Sequence, residues 1–156
     1  MDKSFTIRYR EVESLEDLAP EDRELMMHAF SFAEGAYAPY SGFHVGAAVR
    51  LSDGSMVCGS NQENIAYPSG LCAERTALFA ASAQCPDMRD YKAIAIVGID
   101  GEGHRCEASP CGACRQVMAE YEQQQGHPMR VLCYVSENCI REFGSVTDLL
   151  PFGFQI

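Results

Sequence analysis

Leu71-Cys72-Ala73-Glu74-Arg75-Thr76-Ala77-Leu78-Phe79-Ala80-Ala81, followed by Ala93-Ile94-Ala95-Ile96-Val97-Gly98, decides the fold class. The first stretch is rich in alanine, which lets a helix lie close to a sheet. The second is an unbroken apolar run, the pattern of a central strand buried on both faces. The same unit recurs downstream. A loop from Asp100 to Ser109 leads to Ser109-Pro110-Cys111-Gly112-Ala113-Cys114-Arg115-Gln116, which opens a helix ending near Gln125-Gly126, and Met129 to Val135 reads as another buried strand. Upstream, Pro20-Glu21-Asp22 starts a helix, because proline suits the first helical position and acids suit the positive end of the dipole. Leu25, Met26, Ala29, Phe30 and Ala33 keep its period to about Gly35. Phe43 to Leu51 follows as a strand, and Asp53-Gly54 turns it back through Met56-Val57-Cys58-Gly59. Ser145 to Leu150 suggests a last short helix before Pro151. Strands alternating with helices after a hairpin imply a three-layer α/β/α sandwich on a mixed sheet. Residues 1–19 alternate weakly and carry mixed charge, so they read as an N-terminal extension with one edge strand; residues 20–156 read as a single domain.

A chain of 156 residues is long enough for one domain with its own core. Twelve basic residues against 22 acidic ones give a net charge of -10, and no basic cluster offsets it, which disfavours a nucleic-acid partner. The first residues lack the apolar run of a signal peptide, and no stretch approaches the ~20 apolar residues of a membrane span. A cytoplasmic protein with no membrane partner is expected. Eight cysteines in that compartment call for metal or catalysis before disulfides. Cys58, Cys85, Cys133 and Cys139 have no motif around them and read as small buried hydrophobes.

The chemistry gathers at the two helix starts. Ser109 is the expected N-cap and Pro110 the expected first helical residue, so Cys111 and Cys114 fall in the opening turns on one face. Cys72 begins its own helix, where the positive end stabilises a thiolate. Three sulfur ligands leave one corner of a tetrahedral Zn²⁺ open, as a catalytic site requires. Glu74 is then the natural proton carrier for a metal-activated water, and Arg75 and the helix dipoles can offset the excess negative charge. These features together read as a zinc hydrolase acting on a small molecule. Each piece alone has a plainer reading: Cys-x-x-Cys as a redox pair or half a closed zinc site, Glu74 as an ordinary first-turn acid, Phe43 as a core aromatic, Asn61 as a turn residue. His28, His44, His104 and His127 lack ligand spacing. Cys106, Cys111 and Cys114 also fit the C-x4-C-x2-C spacing of a plant-type ferredoxin, an account that leaves Ser109-Pro110 and Cys72-Ala73-Glu74 without a role.

From about Ala36 to Phe154 the chain resembles the small, homotetrameric cytidine deaminases of the three-cysteine type. The matching motifs are Tyr37-Ala38-Pro39-Tyr40-Ser41-Gly42-Phe43, Asn61-Gln62-Glu63-Asn64, Cys72-Ala73-Glu74-Arg75-Thr76-Ala77, Ser109 through Val117, and Leu149-Leu150-Pro151. The resemblance implies a mixed five-stranded sheet and one Zn²⁺ per subunit on Cys72, Cys111 and Cys114. It implies hydrolysis of cytidine and 2′-deoxycytidine, in pyrimidine salvage, with Glu74 passing protons to N3 and to the departing amino group. Asn61 and Glu63 match residues that hold the ribose hydroxyls, Phe43 the ring that stacks on the base, and Ala73 a backbone contact to it. Arg75 looks like the arginine that hydrogen-bonds the thiolates. Tyr67 and Phe154 resemble residues that complete the site from neighbouring subunits. His44 stands where many relatives have proline, and Ser60 where many have cysteine. Deamination of cytosine within RNA or DNA is a neighbouring activity on the same core, and the -10 charge argues against it.

Overall fold

β4 (Tyr91–Ile99) shows the logic of the architecture in its side-chain alternation. Ala93, Ala95 and Val97 point to one hydrophobic cluster while Ile94 and Ile96 point to another on the opposite face. A strand buried on both sides needs helices above and below it. The computed structural model describes residues 1–155; Ile156, the last residue of the expected domain, lies outside the described residues. In chain order the elements are β1 (Tyr9–Val12), α1 (Pro20–Ala33), β2 (His44–Leu51), β3 (Met56–Ser60), α2 (Ala73–Gln84), β4, β5 (Arg105–Cys106), α3 (Gly112–Gln125), β6 (Arg130–Ser136) and β7 (Cys139–Phe143). Single 3₁₀ turns lie at Leu15–Asp17, Tyr67–Ser69 and Val146–Leu149. The last of these stands where the sequence suggested a short helix.

The strands form one sheet in the order β1-β7-β6-β4-β2-β3, with β5 paired to β4 off that path. Among the strands of the described residues only β4 and β6 run parallel; the other strand pairs are antiparallel, so the sheet is mixed as expected. α1 packs Leu25, Met26, Ala29 and Phe30 on one face, and α2 and α3 pack Ala77, Leu78 and Met118 on the other. The layers are those of an α/β/α sandwich. The strand number is a correction: the described residues form seven strands where five were expected. The extension supplies β1 as the expected edge strand, and the two additional strands are the short β5, which interrupts the Asp100–Ser109 loop, and β7, which follows β6 after a tight turn.

Two glycines set how closely the helices approach. A Cβ on Gly46 would collide with the backbone of Ala29 and Ala33 in α1, and one on Gly59 would lie 2.5 Å from the Ala77 nitrogen in α2. Cross-strand pairing sets Gly46 against Ser60 and Ala47 against Gly59, so the β2–β3 hairpin is gripped from both faces. The chain leaving β3 is thereby delivered to the start of α2. Across the sheet, Arg130 on β6 holds Asp22 of α1 through two bonds of 2.8 and 2.6 Å. All eight cysteines are free. Cys133 is buried as expected, its thiol pushed up to about 12 by that burial, whereas Cys58, Cys85 and Cys139 are only half-buried because they lie at sheet margins and a helix end. No helix among the described residues is long and apolar enough to cross a membrane.

Candidate active site and metal centre

α2 and α3 lie on the same face of the sheet and begin side by side, and both begin with a cysteine. Cys72 is the N-cap of α2 and Cys111 the N-cap of α3, each in extended conformation with no side-chain cap bond. Their sulfurs are thus left free to point outward. The second helix starts later than the sequence suggested: Ser109 and Pro110 precede it, and Cys111 takes the N-cap place. The reason is local. Arg115 donates its backbone N–H to Cys111 O and its side-chain Nε–H to Pro110 O, at 2.9 and 2.8 Å, which keeps Ser109-Pro110 outside the helical ladder.

The sulfurs of Cys72, Cys111 and Cys114 all lie within 4.8 Å of one another, and those of Cys111 and Cys114 are 3.5 Å apart. Zn–S bonds of ≈ 2.3 Å in tetrahedral geometry put sulfurs about 3.8 Å apart, so the donor set fits one zinc ion. Cys106 is not part of this group, which removes the ferredoxin spacing as a ligand set. Arg75 donates to the Cys72 sulfur at 3.6 Å. The Cys72 thiol is lowered to about 5, first by the bond from Cys114 and then, against burial, by Arg75. Cys114, which keeps the proton it shares, is raised. Glu74, on the first turn of α2, is 3% exposed. Burial pushes its carboxyl up to about 7, and the negative Cys72 adds to the rise.

A cleft of about 880 Å³ opens above these groups. Cys72, Ala73, Glu74, Arg75 and Cys111 form part of its lining, with Cys114 buried behind them. Phe43, Asn61, Glu63 and Tyr67 line it as well. Asn61 is fastened on both sides: its Oδ1 accepts from Val45 N at 2.7 Å and its Nδ2 donates to Phe43 O at 2.9 Å. Glu63 accepts from the backbone N–H groups of Tyr40 and Ser41, at 2.8 and 3.3 Å, and from the Ser41 hydroxyl. The Ser41 hydroxyl first, then the Tyr40 N–H, hold its carboxylate below the usual range. Tyr67 borders the cleft of its own chain, while Phe154 lies outside that cleft, with its carbonyl accepting from Gln116 Nε2 at 3.3 Å.

Sequence reasoning missed two acids. Glu107 stands on the cleft wall and pairs with Arg141 at 3.3 Å, but nothing in Cys106-Glu107-Ala108 marks it. Glu122, buried on α3, accepts from the N–H groups of Met129 and Val146 at 2.8 and 2.9 Å and from the Ser145 hydroxyl at 2.6 Å. In sequence it is one more helix acid.

Residues 19–126 match the model of the cytidine and deoxycytidylate deaminase zinc-binding region. The chain is 49% identical over 136 residues to a cytidine deaminase of Halalkalibacterium halodurans, an alignment spanning 85% of this chain and 94% of that one. A cytidine deaminase of Mycobacterium tuberculosis is 39% identical over 132 residues, 83% of this chain and 86% of its own. Among solved structures, the cytidine deaminase of Burkholderia pseudomallei superposes with a TM-score of 0.72 at 41% identity, covering 84% of this chain and 97% of that one. With these relatives and a three-sulfur site fitted to one zinc ion per chain, the protein belongs to the cytidine deaminase family of zinc-dependent hydrolytic deaminases.

Proposed function

We propose that this protein hydrolyses cytidine and 2′-deoxycytidine to uridine and 2′-deoxyuridine with release of ammonia, in pyrimidine salvage. The observation that carries the reading is a buried carboxyl, Glu74, on the same helical turn as one of three convergent sulfurs at the base of an open cleft. Zinc, when bound by Cys72, Cys111 and Cys114, supplies Lewis acidity that makes water a nucleophile at neutral pH. Glu74 moves the protons. Water adds its oxygen to C4 of the base, and Glu74 carries one of its protons to N3 and the other to the amino nitrogen. The C4–N bond then breaks and ammonia leaves. A carboxyl whose affinity for protons is balanced near neutrality suits both taking and giving them.

Phe43 stacks on the pyrimidine, the Ala73 backbone bonds its edge, and Asn61 and Glu63 hold the sugar hydroxyls. Arg75 balances the negative sulfurs. Tyr67 and Phe154 complete sites on neighbouring subunits of a homotetramer. Their exposure supports this, since Tyr67 and Phe154 are 79% and 78% exposed, and large apolar surface left in water marks an interaction site. A free nucleoside suits the acidic chain better than a polymer of phosphates. A cytosolic setting fits a reaction on a small soluble substrate. The test is the absorbance change of cytidine and of 2′-deoxycytidine on conversion, before and after a chelator. Turnover of both, abolished by chelation and restored by zinc, is expected; no turnover of either nucleoside by zinc-loaded protein would overturn the reading.

A further inference from the structure

Gly98 is buried near the end of β4, where a central strand ordinarily carries a side chain. The strand's alternation places it on the face of Ile94 and Ile96, the face that α2 and α3 cover. Cross-strand register adds neighbours on that face. Val45 of β2 stands opposite Gly98 on one side, and Cys106 of β5 on the other. Phe43, two residues before Val45, is then a diagonal neighbour of Gly98, at a separation that aromatic side chains span. A glycine inside a strand weakens it, and marks either a bulge or a place that another group must approach. Pairing runs through Gly98 without a register shift, so the second reason applies.

The approaching group is the Phe43 ring. A Cβ on Gly98 would lie 3.0 Å from Cys106 O and 3.2 Å from both Cys106 Sγ and Phe43 Cζ. Ring tip and sulfur thus flank the gap that the missing side chain leaves. Phe43 lines the cleft whereas Gly98 and Cys106 do not, so this gap lies behind the ring. The Phe43 backbone is already fixed: its N–H donates to the Ser41 hydroxyl at 3.0 Å, and its carbonyl accepts from Asn61. The ring torsions remain, and the gap is where they come to rest. Cys106 is also the cysteine that the three-sulfur group leaves out. Burial holds its thiol above the usual range, so it fills space as a neutral group instead of acting as a nucleophile.

We infer that Gly98 and Cys106 are positioning residues that seat the Phe43 ring from behind, and so set how far it projects into the cleft to meet the pyrimidine. The link to the base rests on the stacking role of Phe43 proposed above; the seat itself does not. A side chain at position 98 drives the ring forward, because the ring tip is the far end of a side chain while Cys106 O belongs to the paired backbone of β5. Loss of the sulfur lets the ring fall back. Either displacement loosens the stack.

Two readouts on the zinc-loaded full chain separate the seat from the stacking role. Alkylation of Cys106 by iodoacetamide, mapped by mass spectrometry, reads the seat. Phe43→Ala should uncover the sulfur and make Cys106 react severalfold faster, with Cys85 at the far end of α2 unchanged. An unchanged Cys106 rate overturns the seat. Cytidine kinetics read the link to the base. Gly98→Ala and Cys106→Ala should each raise KM about two- to tenfold, the range of a sulfur–aromatic contact, with a smaller change in kcat. Cys106→Ala carries this test alone where Gly98→Ala does not fold. In a Phe43→Ala background Gly98→Ala should raise KM no further, since no ring remains to be displaced, and an equal further rise overturns the role of Gly98. Faster alkylation with unchanged KM in Phe43→Ala keeps the seat and overturns the stacking role. KM raised in Phe43→Ala but unchanged in Gly98→Ala and Cys106→Ala overturns the positioning role and leaves stacking in place.

Discussion

The side-chain amide of Asn61 bridges the backbone on both sides of His44, donating to Phe43 O and accepting from Val45 N. A residue proposed to hold the sugar therefore also fixes the strand start that presents the Phe43 ring. On that proposal sugar and base recognition meet in one side chain, and neither group shifts without the other.

Asn61→Ala should accordingly damage more than sugar binding. Losing both backbone bonds frees Phe43, and a displacement of about 1 Å is enough to cost on the order of 10²-fold in kcat/KM. Asn61→Asp keeps the acceptor for Val45 and should lose less. Steady-state kinetics on cytidine for both variants check this, and equal losses would show that the Val45 bond is idle.

Glu74 sets the pH behaviour. Its folded value, about 7, is above the ordinary glutamate value of 4.5, so the folded chain binds a proton more tightly than the unfolded chain. Stability therefore falls as pH rises from 4.5 through about 7, because burial opposes the ionised form. Glu74→Gln removes that penalty. In chelator-treated protein the variant should melt higher than wild type at pH 8, with the gap closing by pH 4.5. For catalysis the sign is opposite: accepting a proton needs the carboxylate, so kcat/KM should fall on the acid side, and activity increasing toward pH 5 would contradict the assignment.

Glu122 is the third test. It gathers the N–H groups of Met129 and Val146, together with the Ser145 hydroxyl, at one buried carboxylate. Removing it leaves buried donors unpaired, each costing ≈ 1–3 kcal/mol. Glu122→Ala should lower the denaturation midpoint markedly, whereas Ser145→Ala, which removes one bond, should lower it less. Thermal melts of the two variants decide the order.

What the sequence discloses depends on whether a feature is local. The Asp53-Gly54 turn, the buried run of β4 and the cysteines at two helix starts are readable because their physics lies within a few residues. β7 was not: only Ile140 is buried, flanked by Arg141 and Glu142, since β1 covers its edge and leaves its faces partly open. That pairing joins residues far apart in sequence, and so does the Glu122 hub. The start of α3 at Cys111 rather than Ser109 is local but hidden, because Ser-Pro is a helix-start signal and nothing in the sequence shows that the Arg115 side chain takes up Pro110 O. Phe43 and Asn61 pass for a core ring and a turn residue until the cleft brings them together.

On the proposed mechanism a metal held by three sulfurs and a separate carboxyl divide the work between them. Zinc content and cytidine turnover, measured on one preparation of Glu74→Gln, test it most directly. One zinc per chain with turnover reduced on the order of 10²–10⁴-fold is the predicted result. A Glu74→Gln protein that keeps its zinc and deaminates cytidine at the wild-type rate would contradict it.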